Sequence, residues 1–343
     1  MNESLDNFRG LLANVAAGNA LSVEEAERAF DIMMGGEATP AQMGALLMGL
    51  RVRGETVNEI TGGARALRAR ALAMDAPAGA IDTCGTGGDS KGTFNVSTGA
   101  AIVSAACGVS VAKHGNRALS SKSGSADVLT ALGVNIEADM PMVRLALWQA
   151  GIGFLMAPRH HGAMRHVAPT RVELGTRTIF NLLGPLSNPA GAKRQIIGVF
   201  DPTWAEPMAA VLRNLGSERV WVVHGSDGID ELTITGPSTV VELNGGELRQ
   251  FEVTPEDAGL ARAALDDIKG GDADANAQTM TAMLDGTPGP IRDIVLLNTA
   301  AALIVAGKVE ALRDGVAMAS EAIDSGAAHA TLDKLIEITN RSS

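Results

Sequence analysis

A glycine-rich stretch at residues 82–98 carries the strongest chemical signal in the chain. It reads DTCGTGGDSKGTFNVST, with four glycines, the carboxylate of Asp89 and several hydroxyls. Glycine lets the backbone approach a ligand closely. The helix predicted to begin near Asn95 offers free N–H groups and a positive dipole end. The stretch therefore predicts a phosphate-binding loop rather than an ordinary strand-to-helix turn, and Asp89 favours a phosphorylated sugar or nucleotide.

The glycine spacing excludes two common nucleotide-binding patterns. No Gly-Lys-Ser/Thr follows the loop, so it is not a P-loop. The glycines do not fit G-x-G-x-x-G, and no acidic residue stands at a second strand end about 20 residues on, as a dinucleotide fold requires.

A segment rich in hydrogen-bond donors follows the apolar run at residues 109–112. Residues 113–125 read KHGNRALSSKSGS, with three cations, a histidine, an amide and four hydroxyls. Such a density of donors suits a phosphate or pyrophosphate. The alternative is a solvated loop, which its position after a predicted strand disfavours.

Asp230 and Glu231 form an acidic pair at the end of the segment HGSDGIDE, residues 224–231. Mg²⁺ is usually held by a few carboxylates together with substrate phosphates. Adjacent acids also occur as surface residues without a ligand. Together with the two candidate phosphate loops, the pair favours a metal–pyrophosphate substrate.

Composition excludes several classes of protein. The net charge of −11 argues against general nucleic-acid binding. His160, His161 and His166 lack zinc-site spacing, and no Gly-x-Ser-x-Gly elbow is present. The longest apolar candidate, residues 294–306, is interrupted by Asn298 and Thr299 and predicts a buried helix rather than a membrane span.

The two cysteines and the first ten residues bear on location. Cys84 and Cys107 have no metal-ligand or disulfide spacing, which favours a reducing compartment. The acidic, polar stretch at residues 1–10 does not resemble a signal peptide. We therefore expect a cytoplasmic enzyme.

The elements that must position these groups fall into two kinds. Residues 1–70 are helical, with capping boxes beginning at Ser22, Thr39 and Thr56. Short apolar runs then alternate with helices, which predicts a mainly parallel sheet with ligands past the carboxyl ends of its strands. Strands are expected at 80–83, 109–112, 152–156, 195–200 and 219–224, with an antiparallel excursion at 233–253.

The predicted fold class is α/β, with a small N-terminal α-helical domain and a larger α/β domain. The helical domain is expected to span residues 1–74 and to be joined by about 167–190. The larger domain is expected to comprise residues 75–166 and 191–343.

Several motifs, taken in order, resemble the anthranilate phosphoribosyltransferase family. They are GTGGD at 85–89, NVST at 95–98, KHGNR at 113–117, GSAD at 124–127, Arg171, RTIFNLLGPL at 177–186 and DE at 230–231. The similarity runs along nearly the whole chain. Ser90 stands where the family often has glycine, and Thr170 stands where it often has valine, which affects the pocket wall near Arg171.

The resemblance implies a fold, an activity and partners. The fold would be of the nucleoside phosphorylase/phosphoribosyltransferase kind, in a homodimer formed through the helical domains, with no nucleic-acid or membrane partner. The amine of anthranilate would attack the anomeric carbon of phosphoribosyl pyrophosphate, and Mg²⁺-pyrophosphate would leave. The product would be phosphoribosyl anthranilate, in tryptophan biosynthesis. Two Mg²⁺ ions per subunit are implied.

The same resemblance assigns site residues. Those implied for phosphoribosyl pyrophosphate are Gly85, Gly88, Asp89, Thr93, Asn95, Val96, Ser97, Thr98, Lys113, His114, Gly115, Asn116, Arg117, Ala118, Leu119, Ser120, Ser121 and Ser125. Ser97, Asp230 and Glu231 would bind Mg²⁺, and Gly85, Asn116 and Arg171 would contact anthranilate.

The catalytic residues implied are Lys113, His114 and Arg117, with the two cations acting on phosphate rather than as bases. His114 would lie beside the anthranilate pocket and orient the amine, and His161 and Arg165 would line its entry. An aromatic amine is already nucleophilic, so neutralising the leaving group is the main catalytic requirement. Two alternatives remain at this point, a pyrimidine nucleoside phosphorylase and a nucleic-acid-binding relative on the same fold.

Overall fold

The computed structural model describes residues 3–118 and 122–341. The chain begins with four helices: α1 Glu3–Ala16, α2 Val23–Met34, α3 Pro40–Arg53 and α4 Val57–Ala69. The three predicted capping boxes are confirmed, because Ser22, Thr39 and Thr56 each accept the N–H of the third helical residue. These caps satisfy N–H groups that a helix start leaves without partners, and so fix where α2, α3 and α4 begin.

A seven-stranded sheet forms the centre of the rest of the chain. Its strands are β1 Ile81–Gly85, β2 Val111–Gly115, β3 Ile152–Met156, β4 Arg194–Gly198, β5 Arg219–Gly225, β6 Ser238–Asn244 and β7 Glu247–Val253. The order is β3-β2-β1-β4-β5-β6-β7. The first five strands are parallel and the last two antiparallel. The predicted fold class is confirmed.

Helices connect and cover the strands. They are α5 Val96–Ala106, α6 Ser125–Ala131, α7 Met140–Gln149, α8 Ala157–His160, α9 Ala168–Leu174, α10 Phe180–Leu183, α11 Ala205–Asn214, α12 Ala273–Leu284, α13 Pro290–Ala306, α14 Leu312–Asp324 and α15 Ala327–Thr339. Every residue of α13 from Ile294 to Val305 is buried, as the sequence predicted. No helix among residues 3–118 and 122–341 is long and apolar enough to cross a membrane.

The apolar core runs from the bundle onto one face of the sheet. Phe180 of α10 packs edge-on against Phe30 of α2, with ring centroids 5.4 Å apart. The same cluster includes Ile197 of β4 and Val199, the residue that follows the strand. Residues 167–186 thus pack with the N-terminal helices, in keeping with the predicted return of this segment; the domain boundaries themselves stay a prediction.

The position of β2 differs from the sequence prediction. The strand runs from Val111 to Gly115, so Lys113 and His114 lie within it and are buried instead of following it. Strands β1 and β2 pair only at Ile81 and Val111 and then diverge. In the gap, the Asp82 carboxylate accepts the His114 N–H at 3.0 Å. Side chains therefore replace ladder hydrogen bonds here, which residue patterning along one strand cannot reveal.

Candidate active site

The glycine-rich loop leaves β1 at the carboxyl edge of the sheet. The N–H of Thr86 donates to the carbonyl of Gly198 at 2.9 Å, which ties the loop start to β4. Gly87, Gly88 and Gly92 have φ of 65°, 77° and 66°. Ser90 has φ 60° and is the single non-glycine residue in the left-handed region among residues that the structure describes. The loop conformation thus depends on glycine at three positions and is strained at a fourth.

Asp230 lies against this loop. Its Oδ2 accepts the N–H of Gly87 at 2.8 Å. A Cβ added to Gly85 would overlap the same oxygen, and one added to Gly198 would overlap the Asp230 carbonyl. The absence of side chains at the ends of β1 and β4 therefore lets the acidic pair approach the strand ends.

Glu231 lies at the start of α5. Asn95, at the N-cap position, makes no side-chain capping bond. Glu231 Oε1 instead accepts the N–H of Ser97 at 3.1 Å. The acidic pair therefore links two parts of the predicted phosphate site, with Asp230 on the loop and Glu231 on the helix terminus.

Electrostatics in this cluster favour a bound cation. Burial, followed by the charge of Asp89, raises the pKa of Asp230 to about 6. Burial, followed by the charge of Asp230, raises the pKa of Glu231 to about 8. Asp89 Oδ2 is buried without a hydrogen-bond partner. Carboxylates in this situation gain from a nearby positive charge, because a cation stabilises their ionised form.

The donors present fit Mg²⁺ shared with a phosphorylated ligand. Asp230, Glu231 and the Ser97 hydroxyl offer hard oxygens on adjoining elements. Within the described part of the chain, no group of three or more His, Cys, Asp or Glu side chains forms a self-sufficient metal cage. Mg²⁺ typically takes one or two carboxylates and completes its shell with water and substrate phosphate.

Lys113 lies below this cluster. Its side chain is 2% exposed, and Nζ donates to the Thr83 carbonyl at 2.6 Å and to Ser97 Oγ at 3.3 Å. Burial lowers the pKa of Lys113, and the charge of Asp82 opposes that shift. The ammonium group therefore supports Ser97 from beneath, whereas the sequence predicted it in an open loop.

The donor-rich segment after β2 curves back on α6. Asp127 accepts the N–H of Ala118 at 2.8 Å and lies 3.4 Å from Arg117 Nη1. Ser125 Oγ donates to the Asn116 carbonyl at 3.3 Å. Asn116 and Arg117 are exposed. Leu119, Ser120 and Ser121, which were also predicted to bind substrate, lie outside the described residues.

Gly115 and Gly88 each let a side chain from another segment approach the backbone closely. A Cβ on Gly115 would overlap Ser125 Oγ, and one on Gly88 would lie 3.1 Å from Arg177 Nη2. Arg177 donates to the Gly88 carbonyl, and its guanidinium carbon lies 4.0 Å from the Phe200 ring centroid. Sequence reasoning quoted Arg177 only as part of a motif and did not assign it to the loop; its position at the head of that motif was the available signal.

Residues from the C-terminal part of the chain bind Thr93 and Asn95 by hydrogen bonds. Thr93 forms an isolated antiparallel bridge with Lys269. Asn276, a second residue that sequence reasoning missed, donates from Nδ2 to Asn95 Oδ1 at 2.9 Å. Val96 and Thr98 are each 1% exposed, so their side chains face the core. At these positions only the backbone of α5 can face the site.

His114 and His161 form a buried pair with ring centroids 5.1 Å apart. Burial lowers the pKa of His114 to about 3 and that of His161 to about 4. His114 Nε2 is buried without a hydrogen-bond partner. Both rings are therefore neutral at physiological pH, and His114 retains an unused polar atom. Arg165 is exposed and hydrogen-bonds to His166 at 3.2 Å.

Arg171 lies on α9, which packs on α3. Its guanidinium carbon is 5.3 Å from the Phe180 ring centroid. It forms no ion pair with any residue in the ranges that the structure describes. The ring contact of Arg171 is thus with α10, on the helical side of the molecule.

Two family models match this chain in the order of its two structural parts. The helical bundle domain of the glycosyl transferase family matches residues 9–71, and the a/b domain of the same family matches residues 78–329. The fold and site therefore define a member of this glycosyl transferase family.

Comparison with individual proteins shows to which family within this class the chain belongs. The anthranilate phosphoribosyltransferase of Azospirillum brasilense is 64% identical over 98% of this chain and 95% of its own. That of Rhodopseudomonas palustris strain HaA2 is 62% identical over 97% and 98%. The chain belongs to the anthranilate phosphoribosyltransferase family.

Solved structures agree. The anthranilate phosphoribosyltransferase of Thermus thermophilus superposes with a TM-score of 0.92 at 46% identity, covering 96% of this chain and 99% of that one. The Saccharomyces cerevisiae enzyme in complex with phosphoribosyl pyrophosphate and Mg gives 0.88 at 29% identity, covering 98% and 97%. The same yeast enzyme in complex with 4-fluoroanthranilate gives 0.86 at 27% identity, covering 97% and 98%.

Proposed function

We propose that this protein transfers the phosphoribosyl group of phosphoribosyl pyrophosphate to the amine of anthranilate, releasing pyrophosphate, as a step of tryptophan biosynthesis. Family membership supports the activity. The observation that carries the assignment of the site is the position of Asp230 and Glu231 between the glycine loop and α5.

Mg²⁺ is the proposed cofactor, with Asp230, Glu231 and the Ser97 hydroxyl as its protein ligands and two ions per subunit, as the family resemblance implies. The raised pKa values of both carboxyl groups support this proposal. When bound, the metal supplies positive charge to the departing pyrophosphate.

The chain's own residues bind and orient the substrates. The N–H groups of the glycine loop and the start of α5 would hold phosphate oxygens, and Arg117 would add charge at the edge. Lys113 holds Ser97 in place from below. Among the proposed substrate ligands, Gly85, Gly88, Asp89, Thr93 and Asn95 lie on the segment from the end of β1 to the start of α5, and Ser125 is the first residue of α6.

Anthranilate is proposed to contact Gly85 and Asn116, with His114 beside the pocket and Arg171 pairing with the anthranilate carboxylate. Arg171 has no ion-pair partner among the described residues, which leaves its charge available for a ligand. The unpaired Nε2 of neutral His114 is suited to orienting the amine. His161 and Arg165 are proposed to line the entry.

The assay is the loss of anthranilate fluorescence in the presence of phosphoribosyl pyrophosphate and Mg²⁺, with the product mass confirmed by mass spectrometry. A pyrimidine nucleoside phosphorylase would instead release free base from a nucleoside and phosphate. Phosphorolysis of uridine or thymidine without consumption of anthranilate would contradict the proposal.

A homodimer formed through the helical part is proposed from two exposed valines. Val52 on α3 is 81% exposed and Val172 on α9 is 79% exposed, on helices that pack together. Exposed apolar side chains on adjoining elements favour burial against a second copy. A cytoplasmic location is proposed on the basis of two free cysteines.

A further inference from the structure

Helix α13 carries a polar residue inside its apolar face. Asn298 lies in an unbroken series of buried residues and is 1% exposed. Burying an amide is unfavourable unless its hydrogen bonds are made. Its partners therefore indicate why an amide stands there.

The Asn298 amide is fully occupied by backbone groups. Oδ1 accepts the N–H of Leu232 at 3.0 Å, and Nδ2 donates to the Leu232 carbonyl at 2.8 Å. The second Nδ2 hydrogen is directed to the Ile294 carbonyl of its own helix, at 2.9 Å. Asn298 thus satisfies both main-chain groups of one residue, as a neighbouring strand would.

Leu232 immediately follows the acidic pair. Its side chain is 0% exposed and belongs to the main apolar cluster. The chain on the other side of the pair is held separately, because Asp227 Oδ1 accepts the N–H of Ile229 at 3.3 Å. The backbone on each side of Asp230 and Glu231 is therefore held by hydrogen bonds. On the Glu231 side, those hydrogen bonds come from Asn298.

We propose that Asn298 is a positioning residue that holds Glu231 in register with the Ser97 N–H for metal binding. This inference rests on the proposed metal role of Asp230 and Glu231. Asn298 is not one of the proposed substrate or metal ligands; it acts through its hydrogen bonds to the Leu232 peptide groups. Its loss would allow the segment to shift by a distance that a metal ligand does not tolerate.

The first measurement uses the unmodified protein without metal. Hydrogen exchange followed by NMR should show the Leu232 amide protected to the same degree as amides within α13. Exchange of the Leu232 amide as fast as that of an unprotected peptide amide of the same sequence would overturn the proposal, whatever the behaviour of any variant.

The second measurement compares Asn298→Leu with Thr299→Val. Leucine is close in volume and suits an apolar helix, but cannot pair with Leu232. Thr299 is the next residue, is 0% exposed and has an Oγ1 without a hydrogen-bond partner, so Thr299→Val changes polarity without touching the loop. The readout is Mn²⁺ binding by electron paramagnetic resonance in the presence of pyrophosphate.

Asn298→Leu should weaken Mn²⁺ binding by about tenfold or more and speed exchange across residues 229–233, as loss of an outer-shell partner does. Thr299→Val should leave both unchanged. Unchanged Mn²⁺ binding in Asn298→Leu, with or without a lower melting temperature, would show a purely structural role and overturn the proposal.

The Glu231→Gln variant tests the proposed metal site independently of the positioning role proposed for Asn298. If that variant bound Mn²⁺ and pyrophosphate as tightly as the unmodified protein, the metal assignment would fall. The Leu232 exchange result would still report on Asn298 alone.

Discussion

At the residue scale, the site depends on where side chains are missing as much as on where they are present. Gly85 and Gly198 leave the space that Asp230 fills. Glu231 takes the capping position that Asn95 leaves open. The hydrogen bonds of Gly87 with Asp230 and of Ser97 with Glu231 join residues more than 130 positions apart, so local sequence patterns predict the participants but not their pairing.

Gly85→Ala should lower kcat/KM by about 100-fold or more, because the new Cβ displaces the Asp230 carboxylate, a proposed metal ligand. Gly162→Ala is the control, since nothing lies within 4 Å of a Cβ at that position. Steady-state kinetics with both substrates would check this. Near-normal kcat/KM in Gly85→Ala would mean that Asp230 need not lie where the structure has it.

The buried histidines predict how stability depends on pH. His161 has a pKa of about 4 in the folded chain and an ordinary value of about 6.5 when unfolded. The unfolded state therefore binds more protons between those values, and stability falls as pH drops through that window. His161→Phe should reduce the slope by up to about 1.4 kcal/mol per pH unit. Urea unfolding between about pH 4.5 and 6 measures it, and an unchanged slope would contradict burial of a neutral imidazole.

At the element scale, part of the fold follows from sequence and part does not. Strand β3 was predicted with its observed bounds, Ile152–Met156, because the apolar run is short, follows Gly151 and is closed by Pro158 two residues after its end. Strand β2 was predicted at 109–112 but spans Val111–Gly115. The sequence favoured a loop position for Lys113 because its hydrogen bond to a β1 carbonyl is visible only in the structure. The family motifs supplied the order of the site segments; the separation of β1 from β2 required tertiary structure.

Ser90 tests the conformation of the glycine loop. At φ 60°, glycine is free of strain, whereas a β-branched residue costs about 1–3 kcal/mol. Ser90→Gly should therefore keep the KM for phosphoribosyl pyrophosphate, and Ser90→Val should raise it with little change in the KM for anthranilate. Equal kinetics for the two variants would show that the loop adopts another backbone when substrate binds.

At the scale of the whole molecule, the bundle and the sheet share one apolar cluster, and Arg177 joins residues 167–186 to the glycine loop. The candidate site is thus formed by segments that are distant in sequence. Composition and periodicity predicted two structural parts. How the two parts pack together depends on contacts such as that between Phe30 and Phe180, which cannot be predicted from either segment alone.

The proposed dimer can be tested at the same scale. Val52→Glu combined with Val172→Glu should yield monomers, because burying two carboxylates against a second copy is unfavourable. Trp148→Glu, which changes a 52% exposed apolar residue on α7, is the control and should leave the dimer intact. Light scattering coupled to size exclusion gives the mass, and a double variant that stays dimeric would place the interface elsewhere.

The most direct test of the central claim is a Mg²⁺ titration of anthranilate consumption for the unmodified protein and for Glu231→Gln. The unmodified protein should consume anthranilate only with phosphoribosyl pyrophosphate and saturating Mg²⁺. Glu231→Gln should need at least about tenfold more Mg²⁺ and turn over more slowly, since it lacks the charge of a proposed metal ligand. Full activity of Glu231→Gln at low Mg²⁺ would contradict the acidic pair as the metal–pyrophosphate site.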